Sequence, residues 1–435
     1  MKWVSIKVIQ NILIINILYM SEFDNKNTPI TYLVWVLLWV NAIKDSYLWV
    51  DSPDCFFFKN DFIQWNHDIT SMLRSADWNH KILATIADAD NVIWDRNKKF
   101  ISTLKNMAEK DFVKQVFTSS MPMSQIIWTD YDWIIKEVNE TVNKPIFNIP
   151  SRSMTDCWID WYADLLFSLA KNIDYTGWNT KKENIAIIWN LFDRWEWDCI
   201  GNVNEFKRII ESLWLNLVSI WLDWWNYEDI LKVKDAWTII SLPYGRKAAK
   251  KVSKNLWSDL LELDLPFWLD NTWYFINSIA KHFNIENKAE DFIKKELTEF
   301  NKIEIVKWAI PHTFTWKKIS FYWDPYLLNW VIDLSKTLWF SLNNIFIHWD
   351  KKHLKNNKEI DIENRKIEYW FNWELNNIDL LITISHDIKW WPDNIGKKMQ
   401  FGFPSYDYHV YTYEPYFWYK GALIFMNRIG NLINN

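Results

Sequence analysis

Glycine is the residue this sequence lacks most: it has 7 in 435 positions, where ordinary usage of about 7% would supply roughly 30. Such a shortage leaves few residues able to take up left-handed backbone in turns and at helix ends. Cysteine is scarce as well. Cys55, Cys157 and Cys199 are widely spaced and form neither a CxxC pair nor a zinc spacing. That excludes a disulfide-stapled secreted domain and fits a reducing cytoplasm. Long basic runs are missing and the net charge is −5, which argues against nucleic acid as a partner. With 49% hydrophobic and 24% charged residues, the chain is also not a disordered one. The longest apolar run, residues 4–20, is short for a membrane span and has no small-residue cleavage site. Met20 opens a polar stretch, MSEFDNKN, and reads as the true start, so residues 1–19 are expected to be an extension and no membrane association is expected.

What the chain has in excess is tryptophan, 34 residues of it. Many of these stand where turn chemistry wants a residue without Cβ: Asp77-Trp78-Asn79, Asp223-Trp224-Trp225-Asn226, Asn372-Trp373 and Trp390-Trp391-Pro392. Helix-like runs end the same way, 205–213 at Trp214 and 329–338 at Trp339, where a C-terminal glycine normally sits. The reading adopted here is that most of these letters stand for glycine, as follows when a UGA codon decoded as glycine is translated as tryptophan. The other reading is a genuine Trp-rich carbohydrate binder, but stacking residues cluster on one face and do not replace turn glycines. Trp224, Trp323, Trp339 and Trp391 are the positions where a displaced glycine is expected first.

Short apolar runs alternate with helix-like segments along the chain. Residues 46–50, 112–119, 145–149, 185–188, 217–220 and 238–241 read as buried strands, and a second series follows from 318, with strands at 344–347 and 380–385. Between them lie helices such as 205–213 and 326–338, while 284–302 reads as a solvated helix and 351–366 as a solvated loop. Strands separated by helices predict an α/β fold of three Rossmann-like, doubly wound parallel-sheet domains around a central cleft. The expected boundaries are 20–180, 181–305 and 306–435. Even with glycines restored, no P-loop lysine motif and no GxGxxG fingerprint appears, so nucleotide hydrolysis would belong to a separate component.

With Trp read as Gly, an ordered set of segments resembles the nitrogenase component 1 family, which includes nitrogenase α and β subunits and protochlorophyllide reductase-type subunits. TWKKISFYWDPYLLNWVIDLSKTLWF (315–340) is similar to the family's "GKRVAIYGDPD" unit and the helix after it. WNLFDRWEWDCIGNVNEFKRIIESLWLNLVSIWLDWW (189–225) is similar to its middle-domain counterpart, and LPFWLDNTWYFINSIAKHF (265–283) to "P.PIGL..TD". NNIDLLITISHDIK (376–389) resembles the "DLIIGNSHGK" strand, and 399–433 resembles "GFP.YDR…P..GYRGA" most specifically. In the first domain, AIKDSYLWVDSPDC (42–55) is similar to "GI.D….HGP.GC", and SQIIWTDYDWIIKEV (124–138) to the "LIGDD" helix start.

The resemblance implies an oxidoreductase subunit that takes electrons from an ATP-dependent iron–sulfur reductase and passes them to a substrate in an interdomain cleft. Its cofactor would be an iron–sulfur cluster, of the 4Fe–4S kind, shared with a second component 1-like subunit in a hetero-oligomer. Cys55 falls on the "HGP.GC" cysteine and Cys157 near a further cluster-facing position, so these two are the expected metal ligands, with Asp156 and Asp54 as oxygen donors. Both cysteines read equally as small buried hydrophobes. The family's other two first-domain cysteine positions fall near Thr28 and near Met121 and Pro122, and the second-domain cysteine that holds a large catalytic cofactor falls at Leu242 and Pro243. Nitrogen reduction on such a cofactor is therefore not expected. His386 and His409 are the expected catalytic-cavity groups, each with a core or surface role as its alternative. Cys199 reads as structural, and His80 and His353 as solvent-facing. The missing cysteines keep a second class in play: a non-catalytic scaffold or binding protein of the same fold, holding a metallocluster or tetrapyrrole precursor.

Overall fold

The structure is a computed structural model. It describes residues 32–53, 56, 81–86, 96–121, 124, 129–149, 158–189, 196–223, 225–301, 312–347, 367–368, 378–384, 396–402 and 408–434. The expected extension 1–19 and loop 351–366 lie outside them.

The strands form three sheets in which every neighbouring pair is parallel. The first sheet contains β1 (Ser46–Asp51), β2 (Ile82–Ala84), β3 (Gln115–Ser120) and β4 (Ile146–Asn148), in the order β2-β1-β3-β4. The second has β5 (Lys181–Ile188), β6 (Asn216–Ile220), β7 (Ala236–Ser241) and β8 (Asp259–Glu262), in the order β6-β5-β7-β8. The third has β9 (Lys318–Trp323), β10 (Ser341–Ile347), β11 (Ile367–Glu368), β12 (Leu380–Thr383) and β13 (Lys397–Gln400), in the order β11-β10-β9-β12-β13. This is the expected α/β class, with three doubly wound parallel sheets. Strands β1 and β3 are buried along their whole length, as central parallel strands with helices on both faces must be. Each sheet reverses its strand order once, between β1 and β3, between β5 and β7, and between β9 and β12.

Helices cover the faces. α1 (Tyr32–Asn41), α2 (Arg96–Ala108), α3 (Tyr131–Asn139) and α4 (Trp158–Asn172) belong to the first segment. α5 (Trp197–Ser212), α6 (Tyr227–Leu231), α7 (Arg246–Leu256), α8 (Trp268–Phe283) and α9 (Glu286–Asn301) belong to the second. α10 (Leu328–Leu338) and α11 (Trp418–Asn434) complete the third. α7 shows the sequence logic plainly: Ala248, Ala249, Val252 and Leu256 form its buried stripe and the lysines take the other face. α4 packs against α1 and α7, and α11 crosses back to pack on α8 and α9, so the segments share one hydrophobic core.

Two elements differ from the sequence reading. The helix expected at 205–213 begins two turns earlier, at Trp197. Its first turns bury Gly201 and Asn202 among Cys199 and Val203, and a Cβ at 201 would stand 3.1 Å from Pro415. Asn202 Oδ1 accepts the amides of Tyr416 and Phe417 at 3.0 and 3.1 Å, so this polar face docks the C-terminal segment. The helix expected to be solvated, α9, buries Ala289, Phe292 and Ile293.

Tryptophan takes up the left-handed region repeatedly. Among the described residues, Trp189, Trp214, Trp257, Trp268, Trp316, Trp339 and Trp418 have positive φ, alongside only Ile86, Leu222 and Asn284 among the other non-glycine residues. Of the four positions expected to display the displacement first, Trp339 caps the C-terminus of α10 at φ 62° and Trp323 ends β9. Trp224 and Trp391 lie outside the described residues. Indoles also fill core positions, at Trp39, Trp49, Trp161 and Trp330.

Candidate functional site

In doubly wound sheets, ligands bind beyond the carboxyl ends of the strands that flank the reversal of strand order. Here those ends are Asp51 and Ser120 in the first sheet, Ile188 and Ser241 in the second, and Trp323 and Thr383 in the third. The sequence-predicted site residues follow these strands. Cys55 comes after β1, Leu242 and Pro243 directly after β7, and His386 after β12. Cys55, Asp54, Asp156, Cys157 and His386 lie outside the described residues, as do His80 and His353. Among the described residues, no group of three or more His, Cys, Asp or Glu is arranged to hold a metal ion.

At the first sheet a buried polar cluster leads into the DSPDC segment. Asp51 Oδ2 accepts a 2.6 Å hydrogen bond from the Tyr131 hydroxyl and pairs with the Arg96 guanidinium; Oδ1 accepts from Thr85 at 3.0 Å. Thr85 Oγ1 in turn accepts the Ser52 amide at 3.1 Å. Burial raises the Tyr131 hydroxyl well above its usual range, and the Asp51 charge raises it further. Tyr131 is delivered by α3, whose N-cap Asp130 accepts the Trp133 amide at 2.9 Å. The cluster fixes the backbone immediately before Cys55. Asp51 and Tyr131 each lay within a readable motif, whereas Arg96 carried no local signal.

Between the second and third sheets, Tyr244, fully buried after β7, donates a hydrogen bond to Asp324 after β9. Burial, and then the Asp324 charge, raise Tyr244 far above the tyrosine range. Tyr326 lies edge-on to Tyr244 at 4.9 Å, and Trp189 and Tyr162 pack on its other sides at 4.1 and 6.4 Å. Asp324 Oδ1 also accepts the Tyr326 amide at 2.8 Å. Gly245 is required here, because a Cβ would stand 2.6 Å from the Ile188 carbonyl. Leu242 is fully buried and Pro243 opens a short 3-10 turn, so this end of β7 offers a thiolate-binding cofactor no ligand.

His409 is half-buried and held by a carboxylate. Its Nδ1 lies 2.7 Å from Glu196 Oε1, and Glu196 Oε2 accepts the Val410 amide at 2.6 Å. Cys199, on α5, is buried, in line with a structural role. Sequence reasoning missed Asp223 after β6. Burial pushes its carboxyl up to about 8 against the opposing charge of Lys207, and its Oδ2 has no hydrogen-bond partner.

A model of the nitrogenase component 1 type oxidoreductases matches residues 62–332. The chain belongs to this family. Two solved structures share the fold of this component 1-type chain. "Nitrogenase Cp1 at pH 6.5" superposes with a TM-score of 0.73 at 16% identity, over 92% of this chain and 91% of that one. "Nitrogenase Cp1 at pH 5" gives 0.70 at 12% identity, over 94% and 90%. A search of curated proteins finds no match. Among the described residues, no helix is long and apolar enough to cross a membrane.

Proposed function

We propose that this chain is a cytoplasmic component 1-type oxidoreductase subunit. It receives electrons from a separate ATP-dependent iron–sulfur reductase and passes them to a substrate in the cleft between its three sheets. The observation that carries this reading is the family match over 62–332, together with three strand-order reversals whose carboxyl ends bear the motif residues. The donor set fits part of a 4Fe–4S cluster. Cys55 and Cys157 would supply two soft thiolates and Asp156 an oxygen donor, and a second component 1-like subunit would supply the remainder. Such a cluster, when bound, supplies one-electron transfer. The chain's own residues do the rest. Asp51, Arg96 and Tyr131 hold the end of β1, from which the chain runs on to Cys55, and Glu196 orients the His409 ring through Nδ1. His386, which follows β12 in the sequence, would be the second imidazole on this reading. The large catalytic cofactor does not fit, since Leu242 and Pro243 occupy its thiolate position.

The test is anaerobic co-expression with the reductase and the second subunit, followed by stopped-flow measurement of reductase oxidation. The expected result is oxidation that needs both ATP and this chain. An assembled complex that leaves the reductase reduced overturns the proposal. That outcome favours the scaffold reading, which the absent cysteines at Thr28, Met121 and Pro122 support.

A further inference from the structure

We infer that positions 189, 214, 257, 268, 316, 339 and 418 carry glycine in the protein as its own host makes it, and that tryptophan at these positions is foreign to the fold. Tryptophan supplies 34 of 435 residues, yet seven of the ten non-glycine residues with positive φ among the described residues. A bulky L side chain is strained in that region, whereas glycine enters it freely.

The surroundings point the same way at two kinds of site. At the first kind the indole is left mostly in solvent, with the Lys288 ammonium 3.9 Å from the centre of the Trp214 ring. Trp257 caps α7 at φ 56°, its amide donating to the Ser253 carbonyl, and is 93% exposed. Trp339 caps α10, Trp214 follows α5, and Trp316 turns the chain into β9, with exposures of 66%, 76% and 90%. The Leu215 amide reaches back to the Ile210 carbonyl at 3.2 Å, the closure that a glycine at 214 normally makes. At the second kind the indole is engulfed. Trp189 (φ 130°) and Trp418 (φ 69°) are fully buried, and neither indole N–H has a partner among the described residues. A buried N–H without an acceptor costs free energy that glycine never incurs. Trp268 (φ 64°) is buried at the start of α8, its indole reaching Thr337 at 3.0 Å. Asn284, at the C-terminus of α8, takes the same conformation without tryptophan, as an Asx residue can. Nothing in the structure explains the positive φ of Ile86 and Leu222.

Glycine at 189 also releases the volume of one indole against Tyr162 and Tyr244. That space opens at the carboxyl ends of β5 and β7, at the point where the strand order of the second sheet reverses.

The experiment has two parts. Peptide mass spectrometry of the chain isolated from its own host reads the seven positions directly. Glycine is expected, encoded by UGA, and tryptophan encoded by UGG overturns the inference. Independently, two full-length chains are made in a standard host, one with tryptophan and one with glycine at all seven positions, and compared by soluble yield and thermal unfolding. The glycine chain is expected to give several-fold more soluble protein and to unfold at a higher temperature. An equal or lower yield and midpoint contradicts it. A single Trp257→Gly chain, changed only at a surface position, is expected to raise the midpoint, and a fall counts against the inference.

Discussion

Asp223 is a carboxylic acid whose ionisation the fold opposes. Its folded value of about 8 lies above the ordinary 3.8, so folding favours the neutral acid. The stability it contributes is complete below pH 3.8 and is lost as the pH rises through about 8. Asp223→Asn keeps the shape without the titration. Relative to the parent, the variant should gain stability as the pH rises from 5 to 8, measured by thermal unfolding at the two values; no relative gain would contradict it. Tyr244 makes a second residue-scale prediction. Tyr244→Phe removes one donor from the buried Asp324 carboxylate, and urea unfolding should report a loss of about 1–3 kcal/mol. These residues also mark how far the sequence is legible. Cys55 and the motif around it can be read locally, but the groups that hold Asp51 arrive from 45 and 80 residues away, at Arg96 and Tyr131. A polar cluster closed over such spans leaves no periodic trace.

At the scale of elements, α5, α9 and α11 are joined through Glu205. Its buried carboxylate accepts from Arg208, Tyr413 and Lys420 at 2.7–2.9 Å, and Arg208 reaches on to Glu296 at 2.7 Å. Burial pushes Glu205 up, but the hydrogen bonds from Arg208, Lys420 and Tyr413 outweigh it and hold the carboxyl below the usual range. Its stabilisation is therefore present above the ordinary 4.5 and is lost as the pH falls below it. Arg208 and Lys420 keep partial access to water once the carboxylate is gone, so Glu205→Ala should cost about 1–3 kcal/mol at pH 7 and less at pH 3. Chemical denaturation at both pH values checks the size and the sign. The central strands were legible because burial on both faces demands continuous apolar runs. The edge strands β8 and β13, DLLE and KKMQ, were not, since one side of each needs no apolar partner. The early turns of α5 were hidden for a related reason: they bury Gly201 and Asn202, which break the helical stripe.

At the scale of the molecule, three sheets with one order reversal apiece place three sets of strand ends where a doubly wound fold binds ligands. That architecture was legible from the alternation of strands and helices alone. The packing of α11 back onto α8 and α9 was not, because it rests on contacts between the last helix and elements more than a hundred residues earlier. The electron-transfer account depends on whether Cys55 and Cys157 hold iron together with a second subunit. The most direct measurement is iron and acid-labile sulfide in the complex purified anaerobically from its own host, beside a Cys55→Ala complex. The account predicts iron and sulfide in equal amounts in the first and a loss of most of both in the second. An intact complex that contains no iron would contradict it.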